Sequence, residues 1–348
     1  MRFFKNIFYY GIKGLLRAYT PFYFRSLRVI GRENLPQDGG LIFSPNHQGA
    51  FLDPLLVGIY LPGRVFSLTR GDVFVKPYKW IFEAMQMLPV FRIRNGFSNL
   101  KNNNPTFERC YTLLGQKKQL MMFSEGLHHK EMFLYPISKG SSRVAFQAQK
   151  QNPNTPIYLI PVGINYQNYD QPYSGLQLIY GTAIPIQAFL NHKDSEAHII
   201  NSIRSELQER MKDCLWIPED TPNYPNQIKR LQELDMRSSF NSIKQQLNQP
   251  SETQNTTPRQ LAFIEKIIKR LLYGLHYFPL LLTKKIIAAL RDPIFGGSVK
   301  YASGLFIFPL YFLSLSVLIG ILIHPLVAVI SFVCLVISIY YYNYLNNT

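Results

Sequence analysis

The sequence predicts an α/β fold: a mixed, mostly parallel sheet flanked by helices, with an amphipathic N-terminal helix and a C-terminal transmembrane helical hairpin. Three observations lead there. Between residues 25 and 218, apolar runs of strand length pass through polar loops into helix-like stretches. Residues 1–24 divide aromatic from basic side chains around a helical wheel. From Ala302 to Tyr342 no Lys, Arg, Asp or Glu occurs. The chain has 348 residues, 37 of them Lys or Arg and 21 Asp or Glu, for a net charge of +16, and only 17% of its residues are charged. That composition excludes a disordered or collagen-like chain and leaves room for one catalytic domain with appendages. Cys110, Cys214 and Cys334 form no C-x-x-C pair, which argues against a disulfide scaffold or a zinc site and for a reducing compartment.

In order along the chain, residues 1–32 carry seven basic residues and no acidic one. Lys13 interrupts the apolar run and no small-residue cleavage site follows, so a secretory signal is not expected. On a helix, Phe3, Phe4, Ile7, Phe8, Ile12, Leu15 and Tyr19 share a face opposite Arg2, Lys5, Asn6, Lys13 and Arg17. The pattern suits an interfacial helix with its cations on anionic headgroups; the alternative is an amphipathic helix docked on the domain. The basic residues gather around apolar segments and no nucleic-acid motif is present, so nucleic acid is not expected as a partner.

Ser26–Ile30 reads as a strand, Glu33–Gly40 as a turn, Leu41–Ser44 as a second strand, and a helix is expected from near Pro54. The loop between contains Asn46, His47 and Asp53. Asp53 before Pro54 suits a helix N-cap. It also suits a carboxylate that fixes the tautomer of His47 as general base, provided the loop bends back. Farther on, Leu88–Gly96 is a strand-like run with Arg92 and Arg94 on one face, two guanidinium forks suited to phosphate or to solvent. Leu120–Lys130 runs from an apolar strand into Glu125, Gly126, His128 and His129. A helix follows near Lys139 and Arg143, its amino terminus suited to an anion. Adjacent histidines on an extended loop diverge, and no third ligand stands at a recognised spacing, so no metal is expected. Ile157–Tyr166 reads as a buried strand ending in a proline kink at Pro161.

Taken together, Asn46-His47 with Asp53, Phe91 to Arg94, Phe123-Ser124-Glu125-Gly126 and Ile160-Pro161-Val162 resemble the glycerolipid acyltransferases, which include glycerol-3-phosphate and 1-acylglycerol-3-phosphate acyltransferases of phospholipid biosynthesis. The resemblance covers roughly residues 25–185. It implies His47 as base, Asp53 as its partner, and an acceptor phosphate held by the second and third blocks, with Arg94 on the arginine that closes the second and Glu125 and Gly126 on the Glu-Gly of the third; Asn46, Arg92, His128, Lys139 and Arg143 complete the residues expected to bind the substrate. Five residues separate His47 from Asp53 where four are commoner in the family. Ser124 replaces the usual proline, and His128 the usual arginine. The acyl donor, acyl-CoA or an acyl-carrier-protein thioester, is a co-substrate, and no cofactor is called for. A catalytically inactive, membrane-anchored lipid-binding or scaffold protein of the same fold is the other reading.

Beyond the acyltransferase domain (25–218), residues 219–258 read as a polar helix and linker, with Gln227–Leu247 resuming a helix after Pro218–Pro225. Residues 259–300 form a basic, aromatic-rich surface segment. Residues 301–345 form two spans divided at His324-Pro325, each about long enough to cross a hydrocarbon core of ~30 Å. Arg291 and Lys300 ahead of the first span favour a cytoplasmic start, and so an active site on the cytoplasmic face of a membrane. All four motif blocks precede residue 170, so a chain cut after Pro258 is expected to keep its catalytic fold.

Overall fold

The computed structural model describes residues 2–77, 79–91, 103–190, 194–249 and 262–347. Seven strands, β1 (Ser26–Ile30), β2 (Gly40–Pro45), β3 (Val65–Arg70), β4 (Met87–Val90), β5 (Gln119–Met121), β6 (Ile157–Tyr166) and β7 (Gly175–Tyr180), lie in the order β1-β7-β6-β2-β5-β3-β4. A two-residue strand, β8 (Ile184–Pro185), pairs with β6. Only the β6 pairings with β7 and β8 are antiparallel among the described strands, so the sheet is mixed and mostly parallel. The helices are α1 (Arg2–Tyr23), α2 (Leu52–Tyr60), α3 (Lys79–Ala84), α4 (Asn104–Gly115), α5 (Gly140–Gln151), α6 (Glu196–Asp213), α7 (Tyr224–Glu233), α8 (Phe240–Asn248), α9 (Phe263–Leu275), α10 (Tyr277–Ala288), α11 (Gly296–Leu322) and α12 (Pro325–Asn346).

Alternation along β2 builds the two layers. Leu41 and Phe43 face a cluster with Leu52, Leu56 and Val57 of α2 and Leu16 of α1. Ile42 faces the other side, with Leu114 of α4, Ala145 of α5 and Leu207 of α6. A parallel sheet covered on both faces needs near-continuous apolar strands, and every residue of β2 is buried.

Three expectations need correction. No kink breaks β6: Pro161 stays in register opposite Ser44. Its carbonyl accepts the Gly181 N–H, on the side where pairing passes from β8 to β7. The missing proline N–H therefore faces a gap in which no ladder bond is required. The stretch 227–247 is two helices, α7 and α8, whose Leu231, Ile243 and Leu247 close a small core with Trp216 and Met236. Finally, α1 splits its expected faces. Phe3, Phe4, Ile7, Leu15 and Phe22 are exposed, but Ile12 and Tyr19 pack on the sheet domain and Phe8 meets Trp80. The cations turn inward: Lys5 pairs with Glu83 at 2.7 Å, and Lys13 donates to the carbonyls of Leu61 and Gly63 at 2.6 and 2.7 Å. These two ammonium groups dock because they find acceptors on the protein there, while Arg17 stays exposed beside the outward apolar side chains.

Residues 293–322 and 325–346 form two helices long and apolar enough to cross a membrane. The 27 residues of α11 and 22 of α12 correspond to about 40 and about 33 Å of helix. Phe308, Phe312 and Leu335 hold the pair together, whereas Leu310, Leu313, Val317, Ile321, Leu326 and Ile330 are exposed. So large an uncovered apolar surface does not suit water.

Candidate active site

The parallel neighbours β6, β2 and β5 end at one edge of the sheet, where open α/β sheets place their sites. Tyr166 ends β6, Asn46 and His47 leave β2, and the segment 122–130 leaves β5. Sequence order thus scatters these residues over 120 positions, and strand order gathers them.

The loop after β2 does bend back. His47 Nδ1 lies 2.8 Å from Asp53 Oδ2, and the turn between them passes through Ala50 with φ 49°, a left-handed conformation seldom taken by residues with a side chain. Gly49 is required beside it: a Cβ there would stand 2.6 Å from Asp53 Oδ1 and 2.8 Å from the Tyr166 hydroxyl. Asp53 Oδ2 also accepts the N–H groups of Gln48 and Gly49, each at 2.9 Å, and Oδ1 accepts the Tyr166 hydroxyl at 2.7 Å. The N-cap reading of Asp53 is corrected by these bonds. The helix starts at Leu52 after Phe51 as its cap, and the carboxylate reaches back to amides before the helix instead of forward into its first turn.

The arrangement fixes a protonation pattern. Asp53 already accepts from two amides and a hydroxyl, so the hydrogen between the two side chains is assigned to His47 Nδ1, the tautomer that carries its lone pair on Nε2. Asp53 is fully buried while the imidazole keeps 14% exposure, so of the two side chains only the imidazole is reached from solvent. Phe123 stacks on the imidazole at 4.0 Å between centroids and restricts its rotation. Burial, with the Asp53 carboxylate next to it, holds the Tyr166 hydroxyl well above its ordinary pKa, so it is a permanent donor.

Glu125 turns inward. Its Oε1 accepts the His47 N–H at 2.8 Å, and Oε2 accepts the Tyr135 N–H at 3.0 Å and pairs with His129 Nε2. The side chain is fully buried. Asn46 is committed likewise, donating to the Ile164 carbonyl at 3.1 Å and accepting the Ile164 N–H at 2.7 Å. Both side chains, expected from the sequence on the acceptor, tie the loop after β2 to its neighbours here, because each carries the pairing groups that a backbone leaving the sheet lacks. Gly126, with φ +75°, turns the chain after Glu125. His128 projects beside His47, its ring 5.5 Å away, and its Nε2 meets Asp292 Oδ2 at 2.8 Å. That bond keeps the Asp292 carboxyl below its ordinary value; its contribution is present above the usual carboxylate range and lost as pH falls through the lowered pKa. Lys139 and Arg143 are exposed at the first turn of α5, which is tied to this edge by the Ser124–Ser141 hydroxyl bond of 2.6 Å. Arg92 and Arg94 lie outside the described residues.

Tyr166, Asp292 and Ser298 escaped the sequence reading. Tyr166 had a signal, since a tyrosine inside a buried strand must find a partner for its hydroxyl. Tyr166→Phe is expected to lower thermal stability by about 1.5–3 kcal/mol, the value of a hydrogen bond to a charged group, in thermal unfolding of the detergent-solubilised protein. An unchanged midpoint would show that Asp53 does not depend on this donor.

Residues 26–165 match the sequence model of a family described as acyltransferase. One solved structure, the 1-acyl-sn-glycerophosphate acyltransferase PlsC from Thermotoga maritima, aligns with 57% of this chain and 78% of its own at 17% identity, with a TM-score of 0.39. No curated protein is similar enough to this chain to count as a match.

Proposed function

From the premise that residues 26–165 form an acyltransferase-family domain, we propose that this enzyme moves a fatty acyl group from a thioester to a hydroxyl of glycerol 3-phosphate or a lysophospholipid, at the cytoplasmic face of a membrane. The observation that carries the proposal is the His47–Asp53 pair, with Nδ1 committed to the carboxylate and Nε2 without a hydrogen-bond partner among the described residues. Nε2 takes the proton of the acceptor hydroxyl as its oxygen attacks the thioester carbonyl. The C–S bond then breaks, and the imidazolium returns the proton to the departing thiolate, leaving an ester and a thiol. A thioester brings its own leaving group, so no protein nucleophile is needed, and no Gly-x-Ser-x-Gly elbow occurs in the chain. Lys139 and Arg143, with Arg92 and Arg94 of the second block, supply cations for the acceptor phosphate.

The test is acceptor-dependent thiol release by the purified full chain from acyl-CoA and acyl-carrier-protein thioesters. Glycerol 3-phosphate, 1-acylglycerol 3-phosphate and an uncharged lysolipid headgroup form the acceptor panel. Release stimulated by a phosphate-bearing acceptor supports the proposal, and no stimulation by any acceptor would leave the scaffold reading in its place.

Membrane attachment through α11 and α12 rests on hydrophobic burial, which salt does not screen. The full chain is therefore expected to stay with membranes through high salt and alkaline carbonate. Release by either wash would contradict a spanning hairpin. On α1, Lys5 and Lys13 are spent on the protein and Arg17 is exposed, so its attachment is expected to depend less on anionic headgroups than its full set of cations would suggest.

A further inference from the structure

The start of the hairpin is seated on the catalytic loop. Asp292 holds His128, and the Phe295 ring stands 5.5 Å from that of His128 and 6.5 Å from that of Phe51. Lys300 donates to the Asp170 carboxylate and carbonyl at 2.9 and 2.7 Å. Between these points, Ser298 Oγ donates to the Gly49 carbonyl at 3.0 Å and accepts the Leu52 N–H at 3.1 Å. A chain cut after Pro258 would lose all of these contacts.

We propose that Ser298 is a positioning residue for the His47–Asp53 pair, so that the apolar hairpin completes the catalytic loop as well as anchoring the chain. Gly49 and Leu52 bracket the turn in which Ala50 takes its left-handed conformation. The same turn presents the Gln48 and Gly49 amides to Asp53. The Leu52 N–H also bonds the Gly49 carbonyl directly at 3.0 Å, and the hydroxyl bridging the same two groups is a cross-brace that reinforces this closure of the turn, and with it the meeting of Asp53 with the imidazole. A side chain placed 246 positions from Leu52 does this because α11 packs against α2; Leu52 and Leu55 of α2 and Val299, Ala302 and Phe306 of α11 wall a common apolar cavity of about 330 Å³. Ser298 makes no hydrogen bond to His47 or Asp53, its hydroxyl bonding the Gly49 carbonyl and the Leu52 N–H, so its effect reaches the imidazole through the loop backbone.

This inference rests on the proposed role of His47 and is tested so that the two can fail separately. Full-length Ser298→Ala and His47→Ala are purified in detergent and assayed with the thioester and the best acceptor, and amide hydrogen exchange is followed in the Ser298→Ala protein. Ser298→Ala is expected to lose about tenfold in kcat, the cost of a small displacement of the base together with a lost hydrogen bond, with both KM values within about twofold. Exchange should speed up at Gly49–Leu52 while the amides of β2 and β6 keep their protection. A kcat within twofold of the parent, while His47→Ala is inactive, would overturn the role of Ser298 and leave the catalytic reading standing. A loss accompanied by faster exchange throughout the sheet would also overturn it, by showing general destabilisation. Activity retained by His47→Ala would remove the catalytic reading and this inference with it.

Discussion

Replacing His47 with alanine is expected to lower acyl transfer by about a thousandfold, the usual contribution of a positioned general base, while the protein stays folded. The fold should survive because Asp53 retains the Gln48 and Gly49 amides and the Tyr166 hydroxyl when the imidazole is removed. Thiol release and thermal unfolding measured on the same preparation separate the two effects. Turnover within tenfold of the parent in folded protein would rule out His47 as the base. Asp53→Asn should fall nearly as far, since an amide cannot accept from every donor now aimed at the carboxylate and can reverse the imidazole tautomer.

The second large effect is expected at Glu125, and it concerns stability first. Its buried carboxylate joins three segments: the His47 amide, His129, and the Tyr135 amide. Glu125→Ala removes the acceptor and strands these donors in a site that water does not reach, which should cost about 3–5 kcal/mol. Activity should fall with it, because the His47 backbone loses its tether to the strand beside it. Glu125→Gln, which keeps the volume but points an N–H₂ group at one of the donors, should be intermediate. Thermal or denaturant unfolding reads the order of the three proteins. A midpoint in Glu125→Ala equal to the parent would show that the carboxylate is not holding the loops together.

How much was legible in the sequence follows from the range of the forces involved. β1, β2 and β6 are apolar runs bounded by turn residues, and the local pattern is enough to place them to within a residue or two. The His47–Asp53 pairing was legible as chemistry, since both residue types occur in one loop, but the start of α2 was misplaced. Asp53-Pro54 has the local form of a cap, and only the Gln48 and Gly49 amides, brought round by the turn at Ala50, draw the carboxylate the other way. Glu125 was visible as a polar residue at a strand end; its inward direction depends on Tyr135 and His129, which meet it after the chain has folded back. On α1, periodicity separated the two faces correctly for Phe3, Phe4 and Ile7, yet periodicity does not say which face finds the protein, and Glu83 with the Leu61 and Gly63 carbonyls decided that for the cations. Ser298 had no local signal at all, being an ordinary serine near the start of an apolar helix until α11 lies against α2.

That contact also acts as a depth gauge. Ser298 stands four residues before Ala302, where the uncharged run begins, a rise of about 6 Å along a helix. In a bilayer crossed by α11, the loop braced by Ser298 is therefore held at a set height, level with the polar headgroups, and cannot drift outward with a substrate or sink among the acyl chains. A lipid acceptor carries its free hydroxyl just above its own hydrocarbon, at that same level. If the acceptor is the lysophospholipid proposed above, the meeting of imidazole and hydroxyl is arranged by two molecules floating at matched draught, with the lateral diffusion of the lipid, instead of its extraction into water, delivering it to the enzyme.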